Sequence, residues 1–196
     1  MTAKLTLEDI ADLRAYERER TAFRDRVIEL KKGRRVAVGP IVSFVFENRD
    51  TVRFQIQEMA RAERMLTDEA IQTELDTYNP LIPEPGHLSA TLFIELTGEE
   101  QLRGWLPRLV GIERAPRLRL ADGSVVAAVP DPGHATQLTR EEITASVHYV
   151  GFALSDEQVE AFATGPVELA LEHPNYQEST VLPAGTVEAL LADLRG

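Results

Sequence analysis

Residues 36–96, VAVGPIVSFVFENRDTVRFQIQEMARAERMLTDEAIQTELDTYNPLIPEPGHLSATLFIEL, carry the strongest indications of the fold. The first eleven, residues 36–46, are apolar at both odd and even positions, which is typical of a strand buried on both faces. Gly39 and Pro40 interrupt this run. We expect a bulge or bend there, or a strand that begins at Ile41, because proline cannot donate a hydrogen bond to a sheet. Residues 89–96 are apolar at every second position and predict another strand.

Helices are predicted around these strands. Residues 51–65 and 67–78 each begin at a threonine, which is a favoured N-cap residue. Upstream, the spacing of apolar residues predicts helical structure over residues 7–31, ended by Gly33. The N-terminal end of the chain is therefore expected to be helical.

The second half of the chain adds further short elements. Asp122-Gly123 lies between two apolar runs and predicts a β-hairpin. Residues 143–154 predict a long strand, and residues 155–163 predict a capped helix. The strands do not alternate regularly with crossover helices. We therefore predict an α+β fold: a mainly antiparallel sheet with helices packed on one face and an N-terminal helical segment.

No internal repeat or low-complexity linker divides the sequence. We predict one domain over residues 1–196, with a helical segment at 1–35 and an α+β body at 36–196. The helical segment has ten basic and seven acidic residues, whereas the body has eleven basic and twenty-five acidic residues. The basic end is expected either to fold back on the acidic body, to meet an acidic partner, or simply to form a solvated helix.

Composition excludes several classes of function. The formal net charge of −11 argues against nucleic-acid binding, because phosphates would be repelled. The chain has no cysteine, which excludes disulfides and thiolate nucleophiles. No apolar run reaches the roughly 20 residues that span a bilayer, and no signal-peptide pattern begins the sequence. We expect a cytoplasmic protein that does not bind membranes.

Common catalytic motifs are also missing. The sequence contains no GxGxxG or GxxxxGK[ST] phosphate-binding loop and no GxSxG nucleophile motif. Glu-x-x-His repeated on two helices, the di-iron pattern, does not occur, and all four histidines fall in predicted strands or loops. These absences favour a protein that is not an enzyme and that has no cofactor.

A metal site assembled from scattered side chains is one alternative. His148 and His173 lie in two predicted strands. If those strands are neighbours, the imidazoles could converge with Glu47 or Glu172. Three such ligands and an open position would suit a catalytic divalent transition metal. The competing interpretation is that both histidines are ordinary core or rim residues.

An anion site is a second alternative. Arg49 lies in the turn before the helix predicted over residues 51–65, and Arg53, Gln57 and Arg61 share one side of that helix. Free amides at a helix N-terminus, together with arginines, can hold a carboxylate or phosphate. The competing interpretation is that these arginines pair with nearby acidic residues such as Glu58.

A proline-rich segment, NPLIPEPGH at residues 79–87, suggests a surface for a protein partner. Its three prolines make a stiff ridge that loses little entropy on binding. The candidate contact residues on it are Leu81, Ile82, Pro83 and Pro85. The competing interpretation is a rigid crossover that packs on the protein's own core.

Four runs carry a family resemblance: FVFENRDTVRFQIQEMARAERM, EAIQTELDTYNPLIPEPGHLSATLFIEL, ITASVHYVGFAL and EHPNY. They resemble a bacterial family, Domain of Unknown Function 3501, over nearly the whole chain. The family has no assigned activity and therefore implies no catalytic residue. The resemblance implies genes encoded beside rubrerythrin-like and iron–sulfur proteins, and hence an accessory role in a redox or peroxide-response system.

The leading hypothesis is therefore an accessory protein that binds an iron–sulfur or rubrerythrin-like partner and performs no chemistry. The alternative is a small metal-dependent or anion-binding enzyme that uses His148 and His173 with Glu47, Arg49 and Arg53. A third class is a structural homo-oligomer formed through an exposed sheet edge.

Overall fold

Two antiparallel sheets form the centre of the computed structural model, which describes residues 4–133 and 142–196. In chain order the strands are β1 (Arg35–Val38), β2 (Val42–Phe46), β3 (His87–Ile94), β4 (Pro116–Arg119), β5 (Val125–Ala127), β6 (Val129–Pro130), β7 (Val147–Ala153), β8 (Glu168–His173) and β9 (Tyr176–Val181). Sheet A has the order β1-β2-β3-β7-β6, and sheet B has the order β5-β4-β8-β9. The predicted α+β class is confirmed, although the strands are divided between two sheets.

The helices are α1 (Leu13–Lys32), α2 (Arg49–Glu63), α3 (Asp68–Tyr78), α4 (Glu99–Trp105), α5 (Asp156–Thr164) and α6 (Ala184–Arg195). Asn48, and not Thr51, caps α2: its side chain accepts a hydrogen bond from the Thr51 N–H at 3.0 Å. In return, the Asn48 N–H donates to the Thr51 hydroxyl oxygen at 2.9 Å. This reciprocal pair begins the helix two residues before the predicted start. Among the described residues, no helix is long and apolar enough to cross a membrane.

The inner faces of the two sheets pack against each other and form the main core. At one side a single chain segment joins the two sheets. β5 is an edge strand of sheet B, and β6 begins two residues later as an edge strand of sheet A. At the other side β9 lies beside β1, where the Tyr176 hydroxyl donates to the Val38 carbonyl at 2.8 Å. The two sheets thus resemble a flattened barrel.

The Gly39-Pro40 interruption is the turn of a hairpin. β1 and β2 pair antiparallel, with Val38 opposite Val42, so residues 36–46 are two strands rather than one. Gly39 has φ +71°, a left-handed conformation that glycine adopts without steric cost. Burial on both faces is correct for β2, all of whose residues are buried, but β1 lies at the sheet edge.

The outer face of sheet A is covered by helices. Val52 and Ile56 of α2 and Leu75 of α3 form a second apolar cluster, against which Tyr149 of β7 packs. α1 lies on α2 with a small aromatic cluster of its own, centred on Phe23. Sheet A therefore has two environments: an apolar inner face, and an outer face with room for polar groups beneath the helices.

Candidate ligand-binding site

A cavity of about 210 Å³ lies between the outer face of sheet A and the first turns of α2. We call it the Glu47 cavity. Its polar lining comes from five parts of the chain and includes Lys31, Glu47, Thr51, Tyr78, Thr91 and Tyr149.

Glu47 is placed by its position between a strand and a helix. It directly follows β2, and its backbone N–H donates to the Ser89 carbonyl of β3 at 2.8 Å. The next residue, Asn48, is the N-cap of α2. The Glu47 side chain is only 9% exposed. It is therefore a buried carboxylate held in a fixed position at the edge of the helical layer.

Two threonine hydroxyls satisfy part of the hydrogen-bonding capacity of this carboxylate. Thr91 Oγ1 donates to Glu47 Oε1 at 2.5 Å, and Thr51 Oγ1 donates to Glu47 Oε2. Each carboxylate oxygen can accept about two hydrogen bonds, so each has capacity for one more. No described basic residue forms an ion pair with Glu47. The nearby N-terminus of α2 supplies a partial positive charge but no full counter-charge.

Aromatic groups form the rest of the wall. The rings of Tyr78 and Tyr149 meet edge to face, with centroids 6.5 Å apart. Burial raises the pKa of the Tyr149 phenol, and the neighbouring Tyr78 and Glu47 raise this pKa further. Tyr149 therefore keeps its proton at neutral pH. Lys31, from the last turn of α1, lines the same cavity and is only partly exposed.

The predicted anion-binding residues have a different role. Arg49 pairs with Asp9 at 2.5 Å, Arg53 with Glu19 at 2.9 Å and Arg61 with Glu17 at 2.5 Å. The acidic partners all lie in the N-terminal segment, so these arginines attach that segment to α2. The competing interpretation, that these arginines pair with acidic residues, therefore describes the structure. The acidic partners, however, lie in α1 and in the turn before it.

Gln57 and Glu58 complete this attachment. The Gln57 side chain is fully buried and bonds both the N–H and the carbonyl of Ala11, at 2.7 and 3.1 Å. Glu58 accepts two bonds from the Arg20 guanidinium at 2.8 Å and one from the Tyr16 hydroxyl at 2.7 Å. Glu58 therefore pairs with α1 and not with the arginines of its own helix.

Substituting Glu58 with glutamine should make α1 attachment weaker and less dependent on pH. Hydrogen bonds from Arg20 hold the pKa of Glu58 below its usual value of 4.5. Its contribution to stability is therefore complete above the usual pKa and is lost as the pH falls through the lowered pKa. We expect E58Q to lower the free energy of unfolding at pH 7 by about 1–2 kcal/mol. Between pH 5 and pH 3, an interval of about two units around the usual pKa, E58Q should lose less of its free energy of unfolding than wild type does.

Urea unfolding followed by circular dichroism at both pH values measures this effect. E63Q, at an exposed position near the end of the same helix, is the matched control and should behave as wild type. If the free energy of unfolding of E58Q falls with pH as steeply as that of wild type, the role assigned to the Glu58–Arg20 pair is wrong.

The histidines proposed as metal ligands lie in different sheets. His148 belongs to β7 of sheet A and His173 to β8 of sheet B, so the condition for their convergence, that the two strands are neighbours, is not met. His148 Nε2 lies 2.8 Å from Thr144 Oγ1 and 3.0 Å from the Ala145 carbonyl. His173 bonds the Val110 carbonyl and the Asn175 N–H through its two ring nitrogens. Both are buried core histidines with local hydrogen-bond partners.

The other proposed ligands do not join them. Glu172 points outward from sheet B and pairs with Arg119 at 2.9 Å, whereas Glu47 lines the cavity on sheet A. Among residues 4–133 and 142–196, no three histidine, aspartate or glutamate side chains are grouped in a way that could hold a metal ion. His134 lies outside the described residues.

The proline-rich segment is largely buried. Leu81 is 4% exposed and Ile82 1% exposed, and Pro83 is buried as well. The expectation that Leu81 and Ile82 are exposed anchors is wrong, because both pack beneath α2 and α3 in the second apolar cluster. Only Pro85 of the four candidates is exposed. The segment is a rigid crossover packed on the core.

Sequence reasoning identified Glu47 but not its surroundings. Thr91, Tyr78 and Tyr149 come from elements 31–102 residues away along the chain, so no local pattern connects them. Two signals were available. A glutamate directly follows an apolar strand and has a threonine four residues later. Thr91 occupies one of the polar positions that alternate with apolar ones in β3.

Comparison with known proteins gives a family but no activity. A family model described as protein of unknown function (DUF3501) matches residues 4–194. A protein of Burkholderia pseudomallei, whose crystal structure is described as that of a novel protein of unknown function, is 36% identical. The match covers 98% of this chain and 100% of that chain with a TM-score of 0.90. No curated protein matches. Because the family match spans nearly every residue, the chain belongs to the DUF3501 family.

Proposed function

We propose that the protein binds a small ligand with a positively charged amine in the Glu47 cavity. The observation that carries this proposal is a buried carboxylate that faces a cavity and whose side-chain donors, among residues 4–133 and 142–196, are two neutral hydroxyls. A buried carboxylate is costly unless it is paired and hydrogen-bonded. A ligand ammonium group would supply both the missing charge and the missing donors.

The aromatic wall supports the same ligand class. Ammonium groups are attracted to the faces of aromatic rings, and carboxylates combined with aromatic rings are a recurrent way to bind amines. The rings of Tyr78, Phe93 and Tyr149 line the cavity. Its volume of about 210 Å³ accommodates a small organic molecule rather than a macromolecular segment.

Lys31 would oppose a cation at the opening. Its ammonium group carries the same charge as the proposed ligand and therefore lowers the affinity for it. We expect K31Q to bind simple amines more tightly than wild type does, because the like-charge repulsion is removed.

Calorimetric titration tests the proposal. Wild-type protein is titrated with methylammonium and ethylammonium chloride, and with ethanol and acetate as neutral and anionic controls of similar size. We expect the two ammonium ions to bind and the controls not to bind. E47Q should lower the affinity at least tenfold, because a hydrogen bond to a charged group is worth about 1.5–3 kcal/mol.

Glu95 provides the matched control. It directly follows β3, accepts a hydrogen bond from Ser43, and already has Arg35 as its counter-charge. E95Q is therefore the same chemical change at a carboxylate that needs no ligand cation, and it should bind amines as wild type does. Tighter binding of acetate than of ethylammonium, or wild-type affinity in E47Q, would overturn the proposal.

The partnership with an iron–sulfur or rubrerythrin-like protein is a separate proposal, supported by the family resemblance alone. In it the protein is an accessory to a redox or peroxide-response system, and ligand binding is its contribution. Purification of the tagged protein from a native extract, followed by mass spectrometry, tests it. Recovery of no iron–sulfur or rubrerythrin-like protein would count against this role.

A further inference from the structure

A second, larger depression of about 410 Å³ lies on the same outer face of sheet A. We call it the sheet groove. Ser89 of β3 and Gly151 and Ala153 of β7 form its floor. One wall is the proline-rich segment at residues 80–84, and the other is the chain around β6, residues 129–132. Small residues on the floor and apolar residues on both walls make a channel suited to a hydrocarbon chain.

The sheet groove lies next to the Glu47 cavity on the same face of sheet A. Ser89 pairs with Gly151, and Thr91 pairs with Tyr149 in the same register of β3 and β7. These two pairs are consecutive on the outer face, and two residues along a strand correspond to about 7 Å. Leu81 lines both spaces. The carboxylate end and the apolar end are therefore neighbours on one face of the sheet, and Leu81 borders both.

The charged side chains that line the sheet groove are Lys4 and Glu84 beside the proline-rich segment and Asp131 on the opposite wall. Lys4 is already paired, since its ammonium group donates to the Ile82 carbonyl at 2.6 Å and forms an ion pair with Glu84 at 3.1 Å. The floor itself presents no charged side chain. A ligand that extends from Glu47 along this face thus meets first a carboxylate and aromatic rings, and then an apolar channel.

From this juxtaposition we infer that the ligand is an amphiphilic amine. Its ammonium group pairs with Glu47, and its hydrocarbon part crosses Tyr149 and lies over Gly151 in the sheet groove. This inference rests on the proposed function, because it names the class of ligand for the same carboxylate. It adds that affinity depends on the length of the apolar chain.

Calorimetry with ethyl-, butyl- and hexylammonium tests the inference on the full chain. Each methylene that leaves water should raise the affinity about fourfold once the chain reaches the groove. G151V places two methyl groups on the groove floor. A Cβ at Gly151 meets no atom closer than the Leu88 carbonyl oxygen at 3.6 Å, so this backbone position accepts a side chain. We expect G151V to bind ethylammonium as wild type does but to lose the gain with chain length.

A37V is the matched control, because Ala37 is exposed on β1 and lines neither space. It should keep the wild-type dependence on chain length. If ethylammonium binds but affinity is the same for all three chains, or if G151V keeps the gain, the inference is wrong and the proposed function stands. If no alkylammonium binds, or if hexanoate binds more tightly than hexylammonium, both are wrong.

Discussion

Replacing Asp193 with alanine is expected to lower the free energy of unfolding by about 3–5 kcal/mol, the range for removing one partner of a buried ion pair. Arg34, just before β1, is 4% exposed and makes two bonds to the Asp193 carboxylate of α6, at 2.6 and 3.1 Å. Without that carboxylate, a guanidinium group remains buried with no counter-charge. Urea unfolding monitored by circular dichroism measures the loss.

E99A is the matched control for this prediction. Glu99 also pairs with an arginine, Arg103, at 2.5 Å, but both side chains are 78% exposed. An exposed pair one helical turn apart contributes about 0.3–0.5 kcal/mol. The double variant R34M/D193L should recover much of the stability lost in D193A, because it removes both charges. A D193A loss no larger than that of E99A would contradict the burial argument.

Replacing Gly39 with alanine is expected to lower the free energy of unfolding by about 2–5 kcal/mol. The left-handed backbone accounts for about 1–2 kcal/mol, and crowding in a packed region accounts for about 1–3 kcal/mol. An added Cβ would lie 2.4 Å from the Tyr176 hydroxyl oxygen and 2.5 Å from Glu178 Cγ. That hydroxyl bonds the Val38 carbonyl, so the substitution would disturb the contact between β1 and β9. Thermal and urea unfolding both report the change.

Gly123 separates the two contributions. It has φ +85°, in the hairpin between β4 and β5, and an added Cβ would meet no atom within 4 Å. G123A should therefore show only the backbone cost of about 1–2 kcal/mol. In G39A/Y176F, removal of the hydroxyl should relieve part of the crowding. Equal losses in G39A and G123A would show that β9 does not constrain the turn.

Local patterns predicted much of the fold. Helix positions followed from caps and apolar spacing, and the Asp122-Gly123 hairpin forms as expected between β4 and β5. The division into two sheets could not be predicted, because strand partners are chosen by packing between distant segments. The Gly39-Pro40 turn shows the limit most clearly, since the same dipeptide suits a bulge or a hairpin and the pairing of β1 with β2 decides between them.

The site was predictable only in part, for the same physical reason. Glu47 was singled out as a metal ligand because of its residue type, but its hydroxyl partner Thr91 lies 44 residues away. The arginines of α2 form a recognisable anion-binding pattern in isolation. Their carboxylate partners are 34–44 residues distant in sequence, so only the docking of α1 shows that Arg49, Arg53 and Arg61 are already paired.

The segment that contains β5 and β6 has a consequence for cooperativity. Residues 125–130 supply the terminal strand of both sheets, so neither sheet can separate from the other without losing one of its own strands. Partial unfolding of one sheet would expose the core that it shares with the other. The two sheets are therefore expected to open together, and amide protons in β4 and β7 should exchange with solvent through one common event.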